Sequence, residues 1–227
     1  MTFTPVIAID GPAASGKGTL ARRVAAHYGF DWLDTGLLYR AVGRAVLDRG
    51  QDPADAAHAI KAAADLHDEL NARLGDERLR GDEAGNAASK VSVVPEVRTL
   101  LLDLQRTFAT FPKGGKGAVL DGRDIGTVIC PDADVKIYVT ARVEIRAQRR
   151  WKELLGRAPE SIFEAVLQDL QQRDTRDSQR AVAPLKPAED AFLLDVSDLD
   201  ADQAFAAALR YIEPMLLQRY SKIAKIL

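Results

Sequence analysis

Gly11-Pro12-Ala13-Ala14-Ser15-Gly16-Lys17-Gly18-Thr19 follows the apolar run Val6-Ile7-Ala8-Ile9-Asp10. Glycines and other small residues let a backbone curl around an anion with its N–H groups turned inward. A helix beginning near Gly16 adds the positive end of its dipole. Lys17 is a mobile point charge for the outer phosphates of a nucleotide, and Thr19 supplies a hydroxyl close by. Gly18 occupies the place after the lysine where a hydroxyl residue usually stands, so the hydroxyl arrives one residue late. A plain turn joining strand to helix is the rival reading. The apolar strand before the loop and the amphipathic run after it favour phosphate binding.

Other charged residues recur at positions suited to anions. Asp34 or Thr35 can cap a helix that brings Tyr39 and Arg40 into its first turns, so a helix N-terminus, a hydroxyl, a phenol and a guanidinium converge. Ala118-Val119-Leu120 reads as a buried strand ending in Asp121-Gly122-Arg123-Asp124. In an open α/β sheet, ligands sit beyond the carboxyl ends of the strands. Asp121 could therefore orient metal-bound water, Arg123 could bind phosphate, and Asp124 could accept hydrogen bonds from a base. Arg142, Arg146, Arg149 and Arg150 are spaced to share one helical face, which predicts a lid that neutralises nucleotide phosphates. Arg173, Asp177 and Arg180 share another face.

These arginines exceed what one triphosphate needs. Arg40, Arg123, Arg173 and Arg180, with Thr35 and Tyr39, imply a second substrate that carries a phosphate. A phosphate monoester is mostly dianionic near pH 7 and is already a nucleophile. An enzyme joining two such anions needs no general base; it aligns them and screens their repulsion.

The positioning elements are read from periodicity. Strands are expected over 6–10, 30–34, 118–120, 135–139 and 192–195. Helices are expected after Gly16, over 35–46 with the stripe Leu38, Val42 and Val46, over 52–74, from Pro95 to Phe108, over 161–178 with Ile162, Val166 and Leu170 buried, and over 201–217. Residues 75–90 are polar and weakly patterned, and read as an exposed or mobile segment. Alternating strands and helices predict one α/β domain over residues 1–227, three layers deep, with a parallel sheet between helices.

Composition bounds the class. The chain has 227 residues, 47% hydrophobic and 28% charged, enough for one full core. The formal net charge of −2 provides no global field for nucleic acid or an anionic membrane. The single cysteine, Cys130, precludes an internal disulfide and reads as a small buried hydrophobe. No apolar run could span a bilayer and no signal-peptide pattern opens the chain, so a cytoplasmic protein is expected. Arg219, Lys222 and Lys225 read as solvated tail residues.

Residues 6–19, Asp34-Thr35-Gly36 with Tyr39-Arg40, Asn86-Ala87-Ala88-Ser89, Asp121 to Thr127, and Arg173-Asp174 with Arg180 to Leu185 together resemble the bacterial cytidylate kinases, nearly end to end and in order. The P-loop is common to nucleoside monophosphate kinases; the last two motifs are far more specific. The resemblance implies a P-loop kinase fold with an NMP-binding region at 35–98 and an arginine-bearing lid at 142–178, both closing on substrate. It implies transfer of the γ-phosphoryl group of ATP to CMP or dCMP with Mg2+, by a monomer. Gly11, Pro12, Ala13, Ala14, Ser15, Gly16, Lys17, Gly18 and Thr19 would hold ATP. Thr35, Tyr39, Arg40, Arg123 and Arg180 would hold the CMP phosphate. Ser89, Arg98 and Asp124 would read cytosine, and Arg173 and Asp177 would meet the sugar. Lys17, Arg123, Arg149 and Arg180 would be catalytic, and Asp121 would reach the metal through water. A carboxylate at Asp124 suits the cytosine amino group and not the carbonyl of uracil. Relatives usually insert a small three-stranded sheet between Leu70 and Ser89; this segment is too short for it.

Three rivals remain at this stage. A kinase for UMP or dTMP would share loop and lid and differ in base contacts. A P-loop switch would carry an Asn-Lys-x-Asp motif, absent here, and would not need a second arginine cluster. A nucleic-acid module would be more basic and richer in aromatics.

Overall fold

The computed structural model describes residues 4–66, 73–156 and 160–224. Five strands, β1 (Val6–Asp10), β2 (Asp31–Asp34), β3 (Ala118–Gly122), β4 (Val135–Thr140) and β5 (Phe192–Asp195), form one sheet in the order β2-β3-β1-β4-β5, and every pairing is parallel. Parallel strands need crossovers, and helices on both faces bury them, which is why β1 and β3 read as nearly unbroken apolar runs. Successive side chains on β1 serve opposite layers. Ile7 and Ile9 pack with Leu20 and Val24 of α1 (Lys17–Tyr28) and with Ala208 and Ile212 of α8 (Ala201–Ala224). Ala8 faces the other core, built on α2 (Thr35–Asp48), α3 (Ala56–Leu66) and α5 (Pro95–Thr110). The expected three-layer architecture is the one observed.

Helix ends follow local chemistry. The Asp34 side chain accepts from Gly36 N at 2.9 Å and caps α2. Asp200 accepts from the amides of Asp202 and Gln203 and starts α8. Pro95 sits in the first turn of α5, where its missing N–H costs nothing. α6 (Val143–Leu155) and α7 (Phe163–Gln179) pack as a pair, with Ala147 and Leu170 buried against Ala13 of the glycine-rich loop. Among the described residues no helix is long and apolar enough to cross a membrane.

Several expectations are corrected. The segment 75–90 is ordered structure: a 3-10 turn (Glu77–Arg80) and a helix, α4 (Asp82–Val91), with Leu79, Ala84, Ala87, Ala88 and Val91 buried. Its apolar face is made of alanine and glycine, so hydrophobic periodicity is faint, yet small residues allow close packing on α2. A Cβ added at Gly43 would lie 2.7 Å from that of Ala87. The expected helix over 52–74 is described only as α3, and residues 67–72 lie outside the described residues. Ile162 precedes α7 as its cap and is 64% exposed, not buried. Arg219 pairs with Asp134 at 2.9 Å instead of standing free in solvent. Lys225 and the side chain of Lys222 lie outside the described residues.

Candidate active site

The loop between β1 and α1 runs beyond the carboxyl edge of the central strand, the crevice position for open α/β sheets. Gly11 makes its tight exit possible: a Cβ there would lie 2.1 Å from the Val139 carbonyl oxygen. Gly16, at φ 88°, caps α1 in the left-handed region and brings no side chain to the first helical amides. The Lys17 Nζ donates to the Pro12 carbonyl at 3.2 Å across the loop. The lysine is buried, and burial, followed by the Arg123 charge, pulls its ammonium down to about 7 against the attraction of Asp121 and Asp34. The Ser15 hydroxyl is buried without a partner among the described residues.

The predicted residues of the second substrate come together. Thr35, Tyr39, Arg40, Ser89, Arg98, Arg123, Asp124, Arg173, Asp177 and Arg180 all line one cleft of about 530 Å³. They come from α2, α4, α5, the end of β3 and α7. The Thr35 hydroxyl donates to the Asp121 carbonyl at 2.9 Å, and Gly122 leaves room for it, since a Cβ there would fall 2.6 Å from Thr35 Oγ1. Arg40 is bent back by hydrogen bonds from one guanidinium nitrogen to the carbonyls of Leu79 (2.7 Å) and Gly81 (2.9 Å). Arg123 donates through Nε to Asp177 at 2.9 Å. Asp124 is engaged on both oxygens, by Arg98 on one and by Arg180 at 3.3 Å on the other. A carboxylate has further lone pairs, so these contacts fix Asp124 without exhausting it.

Charge is unbalanced in this cleft. Arg40 is drawn down to about 10 by burial and by Arg173, and Arg173 is lowered by burial and by Arg123. At the junction with the loop, Asp34 and Asp121 end neighbouring strands as register partners. Burial, then the Asp34 charge, pushes the Asp121 carboxyl up to about 7, although Trp32 Nε1 donates to it at 2.8 Å. Two crowded carboxylates are hard oxygen donors of the kind Mg2+ takes. Among the described residues no three His, Cys, Asp or Glu side chains gather into an ion site. The Asp34 and Asp121 pair fits an ion that takes its other ligands from water and phosphate, as Mg2+ does.

A second cleft, of about 680 Å³, lies on the other side of Lys17 and is lined by Ser15, Gly16, Thr19, Arg149 and Val196, among others. The two clefts share Ala14, Lys17, Gly18, Asp34 and Glu153. The loop thus stands at a junction of two anion-sized spaces.

The four arginines of 142–150 are each engaged by protein groups in this structure. Arg142 caps α6 and pairs outward with Asp198 at 2.6 Å. Arg146 is buried and staples Ala13 O, Ala141 O and Asp174 together. Arg149 donates to the carbonyls of Val196 and Leu199. Arg150 binds Asp82 of α4 and Glu153. Protein carboxylates offset three of these four charges, Arg149 meets only carbonyls, and of the four Arg149 and Arg150 line a cleft.

Two functional positions escape sequence reasoning. Asp10 is buried, its carboxyl raised to about 6 mainly by burial, and its oxygens accept from the amides of Ile125 and Gly126 at 2.8 Å. It anchors the turn that presents Asp124. Gly85 lets the guanidinium groups of Arg40 and Arg173 lie against α4, with a Cβ there only 3.1 and 3.3 Å from them. An Asp closing an apolar strand and a glycine inside a helix are the signals that could have marked them.

Residues 7–214 match the family model described as cytidylate kinase. A cytidylate kinase from Paramagnetospirillum magneticum is 63% identical over 210 residues, spanning 92% of this chain and 98% of the relative. One from Rhodospirillum rubrum is 59% identical, spanning 90% and 95%. Among solved structures, an uncharacterized protein from Eubacterium ventriosum matches with a TM-score of 0.53 at 14% identity, covering 92% of this chain and 99% of that one, a likeness of fold alone. With a family model spanning most of its length and such relatives, this chain belongs to the cytidylate kinase family.

Proposed function

We infer that this protein transfers the γ-phosphoryl group of ATP to CMP or dCMP, giving ADP and CDP or dCDP. The observation that carries this reading is the junction of two clefts at Lys17, one of them lined by Arg40, Arg123, Arg173 and Arg180. The donor nucleotide lies in the cleft beside α1, its phosphates against the amides of residues 11–19 and the Lys17 ammonium. The acceptor lies in the arginine-lined cleft. Thr35, Tyr39, Arg40, Arg123 and Arg180 hold its phosphate, Arg173 and Asp177 its sugar, and Ser89, Arg98 and Asp124 its base. Asp124 accepts from the cytosine amino group; uracil would turn a carbonyl toward the same oxygens and leave them unpaired.

The chemistry asks little of a base. The acceptor phosphate is already dianionic near neutrality, so the protein aligns two anions and screens their charge. Lys17 and Arg123 sit where the two substrates meet, and Arg180 bears on the acceptor phosphate. Arg149, tied to the loop after β5, serves the donor side. Asp121 and Asp34 would hold Mg2+, which supplies charge screening on the transferred phosphoryl group when bound. The bond from Arg150 to Asp82 joins α6 to α4 in the wall of the acceptor cleft. The protein's substrates are small molecules, and it is proposed to act as a cytoplasmic monomer.

ADP release from Mg2+-ATP against CMP, dCMP, UMP, dTMP, AMP and GMP tests the reading. CMP and dCMP should dominate. Equal use of UMP would overturn the role given to Asp124, and no response to any monophosphate would overturn the second-substrate argument.

A further inference from the structure

Two buried polar atoms in the wall of the acceptor cleft lack partners among the described residues and are complementary in kind. One is Asn86 Oδ1, an acceptor on α4; the other is Arg173 Nε, a donor on α7. Both residues line the same cleft. The Arg173 guanidinium is already close to α4 at this level: a Cβ on Gly85, the residue before Asn86, would lie 3.3 Å from an Arg173 nitrogen. A sealed donor and a sealed acceptor each left unpaired are costly, so a state that joins them is favoured. The two helices belong to the two regions that must approach when the cleft closes.

We propose that Asn86 is a positioning residue for Arg173: on closure over the acceptor nucleotide, Asn86 Oδ1 accepts a hydrogen bond from Arg173 Nε. This contact fixes the roll of the guanidinium plane, so that its two terminal nitrogens face the sugar of the acceptor. Nε is the donor suited to this, because it leaves the two-pronged edge free for the ligand. Asn86 touches neither reacting atom and acts through the arginine. The proposal rests on the reading that the arginine-lined cleft takes CMP.

A double-mutant cycle tests it, with KM for CMP, kcat, KM for ATP and Tm measured on each protein. Asn86→Ala should raise KM for CMP about tenfold, the scale of one lost charge-assisted hydrogen bond, with KM for ATP unchanged. In an Arg173→Lys background, where no Nε–H exists, the same substitution should change KM for CMP less than about twofold, because coupled residues are not additive. Asn86→Asp keeps an acceptor oxygen and should stay near the parent. If Ala lowers Tm, the comparison passes to Asn86→Asp against Asn86→Leu, which are close in size and differ in the acceptor. Equal effects in both backgrounds, or an unchanged KM in Asn86→Ala, would overturn the proposal. Absence of CMP-dependent ADP release in the unmodified protein would instead overturn the functional reading, and the proposal with it.

Discussion

Gly85→Ala should make the protein more stable and a poorer user of CMP. The added Cβ would sit 3.1 Å from one Arg40 nitrogen, 3.4 Å from Arg40 Cζ and 3.3 Å from an Arg173 nitrogen. Ordinary contacts of this kind relax to about 3.5–4.0 Å, so both guanidinium groups must retreat by roughly 0.5 Å. Arg40 cannot swing away freely, because it is tied to the carbonyls of Leu79 and Gly81. A 1 Å misplacement of a positioning group costs on the order of 100-fold, so half that displacement predicts about tenfold in kcat/KM for CMP. The backbone gains in the opposite direction. Alanine in a helix interior is worth about 0.5–1 kcal/mol over glycine, and for a chain of this size that raises Tm by roughly 1–4 °C. Steady-state kinetics with CMP varied at saturating ATP, beside a thermal melt, reads both quantities. A raised Tm with kcat/KM for CMP unchanged would refute the claim that α4 seats the arginines. A lowered Tm would show that the methyl group breaks packing, not alignment.

Lys17→Ala should depress kcat by about 100-fold or more while circular dichroism and Tm stay near the parent, since the lysine is aimed at phosphates; near-normal turnover would remove the P-loop assignment. Asp124→Asn should narrow the ratio of kcat/KM between CMP and UMP by about tenfold or more, and an unchanged ratio would show that Asp124 does not read the base. Metal-free ATP binding near pH 7 should take up protons. Lys17 titrates at about 7 in the free protein, an incoming polyanion raises that value, and the Asp121 carboxyl, also at about 7, moves the same way. Calorimetry in chelator with two buffers of different ionisation enthalpy measures the uptake, and a binding heat independent of buffer would contradict it.

The parts legible in the sequence are those where one signal dominates. β1, its loop and α1 are legible because an apolar run, two glycines and a lysine occur in fixed order before an amphipathic run. The cleft residues of α2, β3 and α7 were found by their chemical type at strand ends and helix faces. Helix α4 was missed because Ala84, Ala87 and Ala88 bury by closeness to α2, not by size. The partners of the α6 arginines are not legible for a related reason. Spacing reports which face a residue occupies, but not that Asp82, Asp174 and Asp198 arrive from distant elements to meet it. Long-range partners of this kind leave no local trace.

The same partners separate two kinds of arginine. Arg142 and Arg146 are paired with carboxylates and carbonyls and hold α6 to the fold. Among the described residues Arg40 and Arg173 have no carboxylate within hydrogen-bond reach; burial lowers both from their ordinary values, helped by Arg173 at Arg40 and by Arg123 at Arg173, as burial and then Arg123 do for Lys17. A fold keeps buried cations in this state only if something repays the desolvation, because a charge taken out of water costs several kcal/mol without a partner. Two phosphates brought into adjoining clefts would do so. The repulsion stored in the free protein then becomes affinity that depends on the presence of anionic substrate, and the strongest release falls at Lys17, where both anions meet. Both anions draw on that same repulsion and repel each other, so electrostatics alone gives the second nucleotide less than the first, and the Lys17 charge at the junction limits that loss.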